Sequence, residues 1–188
     1  MVYARELDGA ALTLVVSGML WRTSMIMMDE QSGSLWSHVT GECLEGAHLG
    51  TRLEVVPSVQ TTWADWRRAH PDTRVLEKPE EIRSSRYQRY FDDPERAGMF
   101  RTFWLQDVMP AKALVHGVAD GPHALAVRDE DLPPGSERTV DLAGEAVRVV
   151  RGADGGVRAH AADGRELQVH TAFWFAWSTF YPNTQVAE

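Results

Sequence analysis

Leu12, Leu14 and Val16 alternate with Ala11, Thr13 and Val15, which predicts a strand with one buried face that stops at Ser17-Gly18. Met25-Ile-Met-Met28 predicts a second strand, Asp29 to Gly33 a turn, and Ser34 to Val39 a third strand. Thr62-Trp63-Ala64-Asp65 has the form of a capping box opening a short helix that Pro71 must end. From Ala113 onward the alternation returns. Val115 to Val118 and Ala124 to Arg128 predict a hairpin about Asp120-Gly121-Pro122. Further strands follow over Arg138 to Leu142, Ala146 to Val150 and Val157 to Ala161, with turns at Ala143-Gly144, Asp154 to Gly156 and Asp163-Gly164. Short strands at this spacing predict a β-rich α+β fold of antiparallel sheets, as a sandwich or partial barrel.

An internal echo divides the chain. Gly50-Thr-Arg-Leu53-Glu-Val55 is answered by Gly164-Arg-Glu-Leu167-Gln-Val169, and Trp63, Trp66, Pro71, Thr73 and Val75 are answered by Trp174, Trp177, Pro182, Thr184 and Val186. Repetition of a strand, a two-turn helix and a proline-led strand predicts two related lobes. The expected organisation is a first β-rich lobe over 1–77, an irregular connection over 78–112 and a second β-rich lobe over 113–188, forming one compact unit. Paired indoles at helical spacing pack a short helix onto a sheet or line a space between lobes. On the second reading Trp36, Trp63, Trp66, Trp174 and Trp177 are the ligand-contacting aromatics.

Composition narrows the function. The chain has 188 residues, of which 44% are hydrophobic and 24% charged, enough for a buried core and too polar for a spanning helix. Asp and Glu outnumber Lys and Arg by 27 to 19, so nucleic acid is not the expected partner. Arg83, Arg86 and Arg89, interleaved with Tyr87 and Tyr90, form a local basic run, expected to be a solvated face paired with Asp92, Asp93 and Glu95. The opening residues lack a secretory signal, which fits a cytoplasmic protein or one whose leader was removed.

Chemistry concentrates around the single cysteine. His38, Cys43 and His48 lie near Met25, Met27 and Met28, and this mixture of imidazole, thiolate and thioether suits a soft ion such as copper(I) or mercury(II). Along an unbroken strand His38 and Cys43 would face opposite ways, so convergence needs a bend at Gly41. The same residues allow an enzyme in which Cys43 attacks, His38 or His48 is the base, and Asp29 or Glu42 orients it. His116 and Asp120 have the even separation that shares a strand face. The glycine-rich nucleotide, zincin, serine-hydrolase and zinc-ribbon motifs do not occur.

Val16-Ser-Gly-Met-Leu20, Met28-Asp-Glu-Gln-Ser-Gly-Ser-Leu-Trp36, Thr40-Gly41 with Gly46 and Gly50, the Trp-x-x-Trp-x-x-x-x-Pro-x-Thr-x-Val signal, Val115-His-Gly-Val118 with Ala124 to Val127, and Phe173-Trp-Phe-Ala-Trp177 together resemble DUF3179, a bacterial and archaeal family of unknown function. The resemblance brings no settled activity. Some relatives look like parts of soft-metal or organometal handling systems, which implies a ligand class. Longer members carry a Tyr-Cys-Pro signal ahead of the Val-Ser-Gly strand; it does not occur here, so no function resting on that cysteine is expected of this chain. The expected function is a binding protein taking a small or soft-metal-containing ligand between the lobes. An uncharacterised enzyme and a structural or partner-binding module are the alternatives.

Overall fold

The computed structural model describes residues 1–76, 88–93, 97–98 and 107–187. Arg83, Arg86, Tyr87 and Glu95, most of the expected connection, and the side chain of Arg89 lie outside the described residues.

The first half opens with a small hairpin, β1 (Glu6–Leu7) and β2 (Ala10–Ala11), turned by Asp8-Gly9, both at positive φ. A four-stranded antiparallel meander follows: β3 (Leu14–Trp21), β4 (Ser24–Asp29), β5 (Leu35–Ser37) and β6 (Cys43–Glu45). β3 does not stop at Gly18. A bulge between Val16 and Leu20 absorbs the positive-φ glycine, and pairing resumes to the Arg22-Thr23 turn. The Asp29 turn is anchored from inside: its buried carboxylate accepts from Ser32 N–H at 2.6 Å and from Trp36 Nε1 at 2.9 Å. Leu12, Trp36, Cys43 and Leu53 form the core here.

α1 (Trp63–Ala69) begins where expected. Thr62 Oγ1 accepts from Asp65 N–H at 3.1 Å, although the Asp65 carboxylate meets the Thr62 hydroxyl, at 2.7 Å. The helix ends before His70-Pro71, since a residue preceding proline is pushed out of helical conformation. A second short helix, α2 (Gln88–Asp92), sits in the connection, where the Lys112 ammonium lies 4.0 Å over the Tyr90 ring.

The second half carries β7 (Leu114–Asp120), β8 (His123–Arg128), β9 (Glu137–Leu142), β10 (Glu145–Arg151), β11 (Val157–His160), β12 (Glu166–Leu167), β13 (Val169–Phe173), α3 (Trp174–Phe180) and β14 (Gln185–Val186). One sheet has the order β13-β7-β8-β14, the other β12-β11-β10-β9, and all pairings are antiparallel except β14 with β8. Val118, Leu125 and Val127 from the first sheet meet Val147, Val149, Val157 and Ala159 from the second, the face-to-face core of a sandwich. The opposite face of β7 and β8 takes α3, with Val115, Ala124 and Ala126 under Trp174 and Trp177. Among the described residues no helix is long and apolar enough to cross a membrane.

Gly117 makes the α3 seat. A Cβ built there would fall 2.5 Å from the Trp177 ring, so the indole lies directly on the backbone of β7. Trp177 is 2% exposed, whereas Trp66, its counterpart in α1, is 39% exposed. We therefore expect Trp177→Ala to cost about 3 to 5 kcal/mol and Gly117→Val about 1 to 3 kcal/mol or more through overpacking. Trp66→Ala should cost about 1 kcal/mol or less. Urea unfolding followed by circular dichroism measures all three, and equal losses for the two tryptophans would contradict the packing.

Candidate functional site

The bend at Gly41 exists, at φ +69, with Gly41 N–H bonded to Ser37 O at 2.8 Å and the Tyr3 ring against its backbone. It returns β6 alongside β5 so that Cys43 pairs with Trp36, and the thiol enters the core. Cys43 is 1% exposed; its Sγ donates to Glu45 O at 3.3 Å, and burial pushes the thiol above its ordinary pKa. His48 instead stacks near the Trp36 ring, centroids 5.9 Å apart. His38 points to a third place. The described residues contain no group of three or more His, Cys, Asp or Glu side chains placed to hold a metal, so His38, Cys43 and His48 do not assemble into one centre.

His38 does line a cleft of about 370 Å³ between the two halves. Its walls are Ser24, His38 and Val39 from the first half, Ser58 to Gln60 from the segment leading into α1, and Gln168 to Ala172 with Ala176 and Trp177 from β13 and α3. Among the described residues β13 pairs only with β7, and its other backbone edge lies toward this cleft. The β3-β4 turn ties the halves together nearby: Arg22 Nη1 donates to Thr179 O at 3.1 Å, and the Trp21 ring meets Phe180 edge-on at 5.5 Å. A second hollow of about 420 Å³ shares Met1, Val39, Gln168 and His170 with the cleft and adds Arg22, Arg52, Glu42 and Tyr181. Of the five tryptophans expected at a ligand, Trp177 alone lines the cleft. Trp36 and Trp174 are fully buried, and Trp63 and Trp66 are exposed on α1.

The main cleft has no Asp, Glu, Lys or Arg side chain among its lining residues, although Met1, which carries the amino terminus, is one of them. Its side-chain hydrogen-bonding groups are imidazoles, hydroxyls and amides. His38 Nδ1 lies 3.0 Å from Met25 O, and a carbonyl can only accept, so Nδ1 carries the proton and Nε2 keeps its lone pair. Burial holds this imidazole below its ordinary pKa, opposed by the Met25 carbonyl. His170, edge-on to Trp177 at 5.6 Å, is pushed down to about 4 by burial, with smaller contributions from the amino terminus and His38. Gln168 Oε1 is buried and has no hydrogen-bond partner among the described residues.

Thr171 acquires its polarity from behind. His116 is buried with Nε2 2.9 Å from Asp129 Oδ1 and Nδ1 3.0 Å from Thr171 Oγ1. A carboxylate accepts, so Nε2 donates to Asp129, Nδ1 accepts from Thr171, and the threonine oxygen offers lone pairs elsewhere. Arg151 Nη1, 2.9 Å from the same Asp129 oxygen, completes the chain. Burial lowers the His116 pKa, Asp129 opposes this, and Arg151 adds to it. Asp120 shares the strand with His116 but pairs with Arg165 at 2.8 Å, so the carboxylate partner of His116 comes from beyond β8.

Gln168, His170 and Thr171 were not singled out by sequence patterns. The internal echo held a signal for them: Ser58 to Gln60 and Gln168 to Ala172 occupy the corresponding stretches before the two tryptophan helices, and they face the same cleft.

Residues 1–164 match the family model described as "Protein of unknown function (DUF3179)". Neither a curated protein nor a solved structure matches the chain.

Two measurements probe this site. A histidine whose folded pKa is depressed stabilises the fold fully above its unfolded pKa, and that contribution is lost as pH falls toward the folded value. For His170 the window runs from about 6.5 down to about 4, and the loss is on the order of 3 kcal/mol. His170→Asn should flatten the stability profile across that window; an unchanged slope would contradict a neutral, buried imidazole. Cys43 should resist an aromatic disulfide reagent in the native protein and react fully in guanidinium, and rapid native labelling would contradict its seat.

Proposed function

The chain belongs to the DUF3179 family, and from that starting point we propose that it is a binding protein whose cleft takes a small uncharged molecule rich in N–H or O–H donors. The observation that carries this reading is the wall itself: His38 and His170, both held neutral by burial, and Thr171 with its hydroxyl proton committed to His116, with no Asp, Glu, Lys or Arg side chain among the lining residues. The soft-metal version of the same reading uses the imidazoles of His38 and His170, since soft ions such as copper(I) and mercury(II) bind neutral nitrogen. Cys43 has no part in it. The buried thiol, its pKa raised, likewise removes the support for a cysteine nucleophile.

The halves act here as two related units, with the segments before their tryptophan helices forming opposite walls. Small donor-rich heterocycles such as uracil and nicotinamide, and copper(I) and mercury(II) separately, can be titrated while the melting temperature is followed. Stabilisation by at least one heterocycle that disappears in the cleft-filling variant Ala176→Phe is the expected result. Stabilisation by the ions alone, abolished by His38→Ala or His170→Asn, selects the metal version. If neither class shifts the melting temperature, or if Ala176→Phe leaves every shift intact, the cleft is not the binding site.

A further inference from the structure

We infer that Thr171, His116 and Asp129 act as nucleophile, base and orienting carboxylate at the wall of the cleft, transferring the acyl group of a small uncharged ester or amide onto the Thr171 oxygen. This goes beyond binding and rests on the cleft as the place where the ligand enters.

The three groups come from separate elements. Thr171 lies on β13, His116 on β7, and Asp129 in the short helical turn Asp129–Asp131 that follows β8. The register sets Thr171 directly opposite His116, which brings hydroxyl and imidazole to one face of the sheet. Nucleophile and base are then 3.0 Å apart, base and carboxylate 2.9 Å, the spacing that acyl transfer by a hydroxyl requires. His116 is 3% exposed, so solvent does not compete for its ring nitrogens, while Thr171 is half-buried and lines the cleft. Burial, aided by Arg151 and opposed by Asp129, lowers the His116 pKa and keeps the imidazole in the unprotonated form that a base needs.

Packing alone does not require this arrangement. Apolar side chains of similar volume would fill the space without desolvating a carboxylate and the Arg151 guanidinium held 2.9 Å from it. Titratable groups ordered in this way behind a cleft mark a site of chemistry.

The backbone adds a donor. Trp174 N–H bonds to Ala113 O at 2.8 Å, in register with the β13-β7 pairs. Such bonds alternate along an antiparallel pair, so the N–H groups of His170 and Ala172 turn to β7 and that of Thr171 turns to the outer edge. The nucleophile's own N–H thus points to the side on which the cleft lies, where an oxyanion would form.

In the reaction Thr171 Oγ1 adds to the substrate carbonyl carbon as its proton passes to His116 Nδ1, and the carbonyl π electrons become an oxyanion. The oxyanion collapses, the C–O or C–N bond breaks, and the leaving oxygen or nitrogen takes the proton from Nδ1. The acyl group remains on Thr171 as an ester. Water then adds in the same way and releases the carboxylic acid, restoring the hydroxyl. Asp129 stabilises the transient imidazolium through Nε2, and Arg151 holds that carboxylate in place.

The probe is p-nitrophenyl acetate, added to the full protein. A burst of nitrophenolate is expected, with an acetyl group that tandem mass spectrometry locates on Thr171. Thr171→Ser should keep this acetylation, Thr171→Val should remove it, and His116→Gln should slow it by about a hundredfold or more. Circular dichroism checks that each variant is folded, and the wild-type adduct decides the question if one is not. Asp129→Asn removes the charge that favours the imidazolium, so the pH midpoint of acetylation should fall; an unmoved midpoint overturns the part given to Asp129. Acetyl groups confined to lysines, or a Thr171 adduct formed as fast in His116→Gln, overturn the inference. Heterocycle binding on the same protein separates the two readings. Binding without acetylated Thr171 overturns acyl transfer and leaves the binding reading standing, whereas acetylated Thr171 without heterocycle binding does the reverse.

Discussion

The contact of the Trp177 indole with the bare backbone at Gly117 is the constraint on which the second half depends. It permits α3 to lie close enough to β7 for Trp174 and Trp177 to be buried together, and the Thr184 hydroxyl fixes the indole nitrogen at 2.9 Å. With the helix seated, the chain on either side of it has little freedom. β13 must run beside β7, and β14 must close along β8. β13 then presents an edge unpaired among the described residues, and His170 lies against Trp177 of α3, where burial disfavours its charged form.

The electrostatic character of the cleft follows from how each polar group is already committed. Met25 O takes the Nδ1 proton of His38, and His116, oriented by Asp129 and Arg151, takes the hydroxyl proton of Thr171. What remains of these two side chains is lone pairs, on His38 Nε2 and Thr171 Oγ1, and Met1 with the amino terminus is also part of the lining. The net charge of the chain, −8, disfavours an anion at longer range.

Much of the fold was legible in the sequence. The alternation and turn residues from Ala113 to Gly164 located β7 through β11 because those strands are paired by short, glycine-marked connections. Gly18 misled, since a bulge lets a strand continue through a residue that otherwise ends one. The site was less legible. Cys43 drew attention by its chemistry, yet its register opposite Trp36 decides its fate, and register depends on the bend at Gly41. The odd separation of His38 and Cys43 already placed them on different faces, and the bend did not reunite them. The echo between the halves drew the functional reading to the tryptophan helices, whereas residues of the segments before them line the cleft. Burial differences between α1 and α3, identical in pattern, cannot be read from either segment alone because they depend on which hairpin lies beneath.

A crystallographic soak with small uncharged fragments would examine the central claim most directly. Donor-bearing fragments are predicted to collect between His38 and His170, with a donor bonded to His38 Nε2 or Thr171 Oγ1. Fragments gathering elsewhere, with only solvent between the two imidazoles, would contradict it.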